Sequence, residues 1–165
     1  MLNYFENATP ECASSVVAKA SAALCVKMWI SGLTTTYVRG AIMESPNEED
    51  SFVVNLLNKI LMVPTKTETL TTVVSDRDAL VNRWNRICAN DFASIPIGLI
   101  VLNLSAKHET LPPKVLIPAT YVFVVARLAH TLFYAKALQP YRTLAYIVAS
   151  VPVLLAAGSL FKIKH

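Results

Sequence analysis

Basic and hydrogen-bonding side chains recur at helical spacing near the end of this sequence, inside a stretch otherwise rich in apolar residues. Arg127, His130 and Tyr134 are spaced i, i+3 and i+7, so they share one face of a helix. After a short turn, Arg142 and Tyr146 are spaced i and i+4, which places them on one face of the next helix at the depth of Tyr134. Unpaired buried cations are costly. The pattern therefore predicts a site for an anionic ligand.

An earlier apolar segment repeats the same spacing, and the first apolar segment ends on another cation. Arg83, Arg86 and Asn90 are again spaced i, i+3 and i+7, and Arg39 closes the first segment. Acidic partners are few, and Asp91 is the main one inside these segments. We expect the cations of all the helices to meet at one depth of the membrane.

Simpler interpretations account for each of these residues singly. Arg39, Arg83 and Arg142 are long enough to extend their charged groups to a membrane interface, and tyrosines at that level form an aromatic belt. Arg127 and Asp91 together make a structural ion pair. A purely structural membrane bundle is the corresponding hypothesis for the whole chain, but it leaves the excess of cations unexplained.

Composition indicates a membrane protein. The 165 residues are 54% hydrophobic and 16% charged, with a formal net charge of +4 and a mean hydropathy of +0.46. A soluble domain carries about 25% charged residues. Four segments approach the length of about 20 apolar residues that a spanning helix needs. They predict an all-α membrane protein, a single four-span domain over residues 1–165, with spans at 13–38, 87–104, 115–137 and 144–161. Its expected partners are membrane lipids, not nucleic acid.

The connections between the spans predict an antiparallel four-helix transmembrane bundle. "SAKHETLPPK" and the turn "QPYR" are short, so the helices that they join must be antiparallel neighbours. The first connection, residues 40–82, is long. Its apolar run at 52–63 is too short to span, and we interpret it as lying on the surface of the membrane or bundle. The polar "TKTETLTT" is predicted to be loop, with helix resuming over 78–86.

Charge distribution predicts the orientation in the membrane. Lysine and arginine concentrate in the first and third connections, which are therefore expected on the cytoplasmic side, with both termini on the opposite side. No cleavable signal peptide is visible, so insertion depends on the first span. Cys12, Cys25 and Cys88 lack metal-binding spacing. Cys25 and Cys88 fall in predicted helices and are expected to be free, buried thiols, and no metal is expected.

These motifs resemble those of a known family. "RLAHTLFY" followed by "PYRTLAY" is similar to the last two helices of the membrane-associated proteins in eicosanoid and glutathione metabolism. That family includes the microsomal glutathione transferases and microsomal prostaglandin E synthase. "RWNRICANDF" resembles the family's arginine-rich approach to an Asn-Asp pair, and "VKMWISGLTTTYVRG" resembles its first helix. The resemblance covers nearly the whole chain except residues 52–76, and the C-terminal half is closest to the prostaglandin E synthase branch.

The resemblance implies a homotrimer of four-helix subunits in the endoplasmic reticulum membrane, with both termini lumenal. Glutathione is then bound between neighbouring subunits near the cytoplasmic face, and the second substrate is a lipophilic small molecule. The positions that match glutathione-binding residues of the family are Arg39, Arg86, Asn90, His130, Tyr134, Arg142 and Tyr146. The positions expected to support the site are Arg83, Asp91, Arg127 and Glu48.

By the same resemblance, Arg142 is the catalytic arginine and Thr143 occupies the position beside it where the family often has a small hydroxyl residue. Three features depart from the family pattern. Ala93 stands where the family has its most regular acidic residue, and Ala89 replaces a basic residue of the prostaglandin branch. The spacing from Tyr134 to Arg142 is also one residue shorter than in that branch.

Two functions of different classes follow from the resemblance. In the first, the chain is a glutathione-dependent membrane enzyme: a transferase, a lipid peroxidase or a prostaglandin-type isomerase. A free thiol has a pKa of about 8.5, and a guanidinium such as that of Arg142 lowers it while a tyrosine hydroxyl donates a hydrogen bond to the thiolate. In the second, the chain is a non-catalytic family member that binds lipid or regulates a partner. The missing acid at Ala93 favours the second function, and the retained arginines, histidine and tyrosines favour the first.

Overall fold

The computed structural model describes residues 8–43 and 70–161, and almost all of them are helical. Helix α1 is Pro10–Met43, α2 is Leu70–Lys107, α3 is Pro113–Ala135 and α4 is Gln139–Leu160. Each helix contains a segment long and apolar enough to cross a membrane. No strand occurs in the described ranges. The predicted all-α architecture with four membrane spans is confirmed.

Two helices extend into the region predicted to be a connection. Helix α1 continues to Met43, and α2 begins at Leu70, so residues 40–43 and 70–82 are helical and only part of 40–82 is available for a loop. The end of "TKTETLTT", predicted to be loop, belongs to α2. Residues 70–95 contain neither proline nor glycine, the two residues least favourable in a helix interior, which is consistent with the early start. The apolar run at 52–63 and Glu48 lie outside the described residues.

Both short connections begin with the same hydrogen-bonded helix ending. The residues in the left-handed conformation are Glu109, with φ 51°, and Ala137, with φ 57°. The N–H of Leu138 donates to the carbonyl of Phe133 at 2.9 Å, and that of Ala137 to Tyr134 at 3.1 Å. The N–H of Thr110 and of Glu109 make the equivalent bonds after α2. These are Schellman motifs, which satisfy carbonyls that the helix end leaves free.

The second of these turns lies a few residues before its predicted position. "QPYR" was predicted as the turn, but Gln139 and Pro140 open α4, and the chain reverses at residues 136–138. Proline is favoured in the first turn of a helix, because it has no N–H to leave unpaired and its φ suits the helix. The proline therefore marks the start of α4 instead of the centre of the turn.

The chain divides into two compact units. The first unit consists of Met1–Trp29 and Ala89–His165, and the second of Ile30–Cys88. In the first unit all four helices contribute to one apolar core, which makes it an antiparallel four-helix bundle. Its fully buried members include Val17, Leu24, Ile95, Leu102, Leu116, Ile117 and Ala156. In the second unit, the hydroxyl of Thr35 donates to the carbonyls of Ser31 and Trp84, linking α1 to α2.

No disulfide joins the three cysteines, all of which lie in the described residues, and Cys25 and Cys88 are less buried than predicted. Cys25 is exposed, while Cys12 and Cys88 are half-buried. Cys25 directly follows Leu24, which is fully buried, and successive helical side chains point about 100° apart. Because Leu24 takes the core-facing position, Cys25 points away from the core.

Candidate functional site

The predicted polar stripe of α3 faces the interior of the first unit. Arg127, His130 and Tyr134 have exposed fractions of 1%, 3% and 8%. They share the buried face of α3 with Phe123 and Ala126. An arginine and a histidine among core residues are unusual, since such side chains are rarely buried without partners. The i, i+3, i+7 spacing therefore identified one buried polar face correctly.

Residues at the start of α4 come close to this stripe. The guanidinium carbon of Arg142 lies 4.4 Å from the centre of the Tyr134 ring, a cation–π contact. The ring of His130 lies 5.7 Å from that of Tyr134 and 6.1 Å from that of Tyr146. We call His130, Tyr134, Arg142 and Tyr146 the α3–α4 cluster. It joins residues that the sequence predicted to act together.

Arg142 retains capacity for another partner in this cluster. Its Nη2 donates to Oε1 of Gln139 at 2.7 Å, one turn earlier on the same helix. A guanidinium carries five N–H donors in a planar fork. Arg142 is half-buried, so these donors can reach a ligand while remaining partly shielded from water. The neighbouring Thr143 is exposed on α4.

A network of three charged side chains lies beside the cluster. Asp91 of α2 accepts a hydrogen bond from Nη2 of Arg127 at 2.9 Å through one oxygen, and its other oxygen pairs with Nζ of Lys27. Nη2 of Arg127 also donates to the carbonyl of Asn90 at 3.2 Å. Asp91 and Arg127 are each 1% exposed. The ion pair expected between Arg127 and Asp91 is present, and Lys27 extends it to a third helix.

Lys27 was not among the predicted site residues. The available signal was a cation placed well inside an apolar helix, since intramembrane charges are normally paired or functional. Its partner could not be identified, because Asp91 lies 64 residues away in the chain.

Three buried nitrogen atoms near this network have no hydrogen-bond partner among the described residues. They are Nε and Nη1 of Arg127 and Nδ1 of His130. Buried polar groups in proteins are nearly always hydrogen-bonded, and each exception calls for an explanation. Asp91 is the carboxylate that both Arg127 and Lys27 contact. The region therefore has unused donors on Arg127.

A cleft of about 370 Å³ opens next to these donors. It lies between α2 and α4, and Phe123 and Arg127 of α3 form its floor. Its volume falls in the range of about 300–1,000 Å³ that is usual for small-molecule sites. Asn90 lines it, and so does Ala93, the position at which the family pattern has an acid. The other lining residues are Ser94, Ile97, Tyr146, Ala149, Ser150, Val153 and Leu154.

The remaining predicted site residues belong to the second unit or lie outside the described residues. Arg39 and Arg86 are exposed in the second unit, and Arg83 is half-buried there. The expectation that these cations meet the α3–α4 cluster at one depth stays a prediction. Glu48 is outside the described residues. The first unit thus brings together His130, Tyr134, Arg142, Tyr146, Asn90, Asp91 and Arg127.

Comparison with known families agrees with this architecture. The model of the MAPEG family matches residues 16–162, which is most of the chain. The protein therefore belongs to the MAPEG family, the membrane-associated proteins in eicosanoid and glutathione metabolism. It is accordingly a multi-pass membrane protein related to glutathione or eicosanoid metabolism. No curated protein matches the chain closely enough to narrow the activity further.

Proposed function

We propose that this protein is a glutathione-dependent membrane enzyme that acts on lipophilic electrophiles or lipid peroxides, as a transferase, a peroxidase or an isomerase. The observation that carries the proposal is the α3–α4 cluster. Within it, Arg142 packs against Tyr134, and the ring of His130 lies 5.7 Å from that of Tyr134 and 6.1 Å from that of Tyr146. A cation with free donors beside hydroxyl and imidazole groups suits a negatively charged sulfur.

The residues of the first unit fit glutathione in charge and hydrogen bonding. Glutathione is a peptide thiol with two carboxylates, and when bound it supplies the nucleophilic sulfur. Nδ1 of His130 is buried and has no partner within the described part of the chain, and Arg142 has donors beyond the one that it gives to Gln139. Asn90 and Tyr146 line the adjoining cleft. By family resemblance, Arg39 and Arg86 complete the binding set.

Arg142 acts in this proposal by electrostatics and not as a base. A guanidinium stays protonated at neutral pH, so it cannot accept the proton of the thiol. Its positive charge favours the thiolate over the thiol, which raises the fraction of nucleophile at neutral pH. The Tyr146 hydroxyl is the second candidate donor to the sulfur. Thr143, exposed beside Arg142, is assigned an auxiliary catalytic role by resemblance only.

A second candidate function is that of a non-catalytic family member that binds lipid or regulates a partner. The observation that favours it is the wall of the cleft at Ala93, where no carboxylate is present. Asp91 cannot substitute, because both of its oxygens are engaged by Lys27 and Arg127. A site of this kind would bind ligands while lacking the groups that orient glutathione for reaction.

We also propose a homotrimer in the endoplasmic reticulum membrane, with both termini lumenal. The excess of lysine and arginine in the first and third connections supports this orientation. In sealed microsomes, tags at Met1 and at His165 are expected to be protected from protease, while a tag inserted at Thr67 is expected to be cleaved. Termini on opposite faces would contradict the four-span topology.

Calorimetry of the detergent-solubilised protein with glutathione tests the enzyme proposal. A saturable heat of binding at millimolar glutathione is expected for the wild type. Its absence would favour the non-catalytic function. Turnover of a model electrophile supplies the second readout, since a non-catalytic member can bind without reacting.

The Arg142→Ala variant links this binding to activity. The arginine interaction strengthens as the thiolate forms, so the variant should lose more activity than glutathione affinity. A charge-assisted contact contributes about 1.5–3 kcal/mol, which is about one to two decades in rate. Arg142→Lys should recover only part of the loss, because lysine keeps the charge but not the planar fork. Lys136→Ala removes an exposed cation just before α4 and serves as the matched control. If Lys136→Ala loses as much activity as Arg142→Ala, Arg142 has no particular role in activating the thiol.

A further inference from the structure

A groove of about 520 Å³ lies between α3 and α4, and no residue of the α3–α4 cluster lines it. Three alanines form its floor: Ala126 and Ala145 are buried, and Ala129 is half-buried. The larger side chains of Val125 and Leu144 form its rim, at 62% and 58% exposed. Because alanine has a single side-chain carbon, the floor is flat and the rim stands above it.

The length of the groove matches one leaflet of a membrane. At one end the rings of Phe133 and Tyr141 lie 5.7 Å apart, next to the turn that follows the end of α3 at Ala135. At the other end lies Tyr121, which precedes Phe133 by 12 residues on α3, or about 18 Å at 1.5 Å per residue. The hydrocarbon core of a bilayer is about 30 Å thick, so one leaflet is about 15 Å. The groove therefore extends from the membrane interface to about the bilayer centre.

The side chains that line the groove restrict the chemistry of an occupant. None of them carries a charge, and their only polar groups are the hydroxyls of Tyr121 and Tyr141. An ionised headgroup would therefore have no counter-ion inside the groove. A flexible acyl chain can enter, but it loses conformational freedom when it is held in one place. A rigid, flat, apolar body with one hydroxyl loses much less, and its shape matches the alanine floor.

A short sequence pattern at the turn points to the same class of molecule. Lys136, Tyr141 and Leu144 follow one another as basic, aromatic and aliphatic residues with gaps of four and two residues. This order is the reverse form of a pattern proposed for sterol contact in membrane helices. Such a pattern is weak by itself, and it gains weight here because Tyr141 and Leu144 both line the groove.

We propose that the groove between α3 and α4 binds one sterol molecule. The sterol hydroxyl lies beside the Tyr141 hydroxyl at the interface, the fused rings pack on the alanine floor, and the tail extends toward Tyr121. Tyr141 is 55% exposed, so its hydroxyl is available to such a ligand. The site shares no residue with the proposed thiol site and does not depend on thiol chemistry.

The test uses the full chain in phosphatidylcholine nanodiscs, without glutathione, and a cholesterol analogue with a photoreactive group on its ring system. Labelling is expected to be saturable and to fall on peptides that contain residues 121–133 or 141–148. Unlabelled cholesterol should compete at least about tenfold better than oleyl alcohol, which has one hydroxyl on a flexible chain. Equal competition by oleyl alcohol, or labelling confined to α1 or α2, would overturn the proposal.

One pair of variants tests the floor of the groove. Ala129→Leu fills the groove from its floor and should remove saturable labelling. Ala157→Leu makes the same change at another half-buried position, on α4 and outside the groove, and should label as the wild type does. Wild-type labelling of Ala129→Leu would place the sterol elsewhere and contradict the proposal.

A second pair tests the orientation of the sterol without changing the packing. Tyr141→Phe keeps the ring and removes the hydroxyl, so it should weaken cholesterol competition about two- to tenfold, the usual range for one neutral hydrogen bond. Tyr121→Phe makes the same change at the opposite end of the groove and should leave competition unchanged. A loss in Tyr121→Phe alone, or in neither variant, would contradict the contact proposed at Tyr141.

Discussion

Two polar clusters lie within the same helical unit, and they differ in how completely their hydrogen bonds are satisfied. The ion cluster consists of Lys27, Asp91 and Arg127, and two buried nitrogens of Arg127 have no partner among the described residues. The hydroxyl cluster consists of Ser105, Thr110 and Ser159. The Thr110 hydroxyl lies 2.7 Å from each of the other two, and Ser159 also donates to the carbonyl of Ala156. None of its hydroxyl groups is left unpaired.

This difference separates a structural polar cluster from one prepared for a ligand. The hydroxyl cluster joins the ends of α2 and α4 to the connection before α3. Because its three hydroxyl groups are already hydrogen-bonded, a ligand would add no stabilising hydrogen bond there. The ion cluster has donors in excess and a cleft beside it. In low dielectric surroundings, satisfied networks add rigidity, while unsatisfied ones are costly unless a ligand completes them. Substitutions in the ion cluster should therefore lower the free energy of unfolding more than substitutions in the hydroxyl cluster. A bound ligand should change the stability of the ion cluster only.

The largest loss of stability is expected from Asp91→Asn. It removes the carboxylate that pairs with Arg127 and Lys27 and leaves the buried Arg127 without its ion-pair partner, at a cost of about 3–5 kcal/mol in the free energy of unfolding. Asp78→Asn makes the same chemical change at an exposed position of α2 and should stay within about 0.5 kcal/mol of the wild type. Denaturant unfolding in detergent measures both. A loss for Asp91→Asn no larger than for its control would show that the charges are not buried as described.

A pair of glycine variants compares packing near the two clusters. At Gly98, an added Cβ would overlap the ring of Phe123, which forms the floor of the cleft. Gly98→Ala should therefore cost about 1–3 kcal/mol through overpacking. At Gly158, beside the hydroxyl cluster, a Cβ meets no atom within 4 Å. Gly158→Ala should be neutral or stabilising by up to about 1 kcal/mol, because alanine favours the helix. Thermal unfolding of both proteins is the measurement, and equal effects would contradict the packing described at Phe123.

The smallest loss in the free energy of unfolding is expected from a substitution in the hydroxyl cluster. Thr110→Val keeps the shape of the side chain and removes one hydroxyl, while Ser105 and Ser159 remain 3.4 Å apart and able to bond to each other. The expected loss is about 1 kcal/mol, the usual net contribution of a neutral hydrogen bond. The same unfolding experiment applies. A loss as large as that of Asp91→Asn would remove the contrast between the two clusters.

Periodicity and hydropathy were sufficient to predict most of the fold. The four spans, their antiparallel order and the buried face of α3 all depend on local spacing, which a sequence displays directly. The misplaced turn at Pro140 and the late predicted start of α2 are boundary errors. Helix ends depend on hydrogen bonds such as those of the Schellman motif at Ala137, and alanine in that left-handed position gives no sequence signal.

The site was only partly predictable for a different reason. His130, Tyr134, Arg142 and Tyr146 lie on two helices joined by a short turn, so spacing alone predicts that they meet. Lys27 and the Ser105–Thr110–Ser159 cluster depend on contacts between residues far apart in the chain. No local pattern reports such contacts, because they are set by how helices pack in the bundle.

The central claim is that Arg142 stabilises a thiolate, and ultraviolet thiolate absorbance against pH tests it most directly. The titration is performed on the glutathione complexes of the wild type and of Arg142→Ala, at glutathione concentrations that saturate each. The wild-type complex should titrate well below the free-thiol pKa of about 8.5, and the variant should move back toward that value. If both complexes titrate at the free-thiol pKa, Arg142 does not activate the sulfur, and its position in the structure reflects packing against Tyr134 alone.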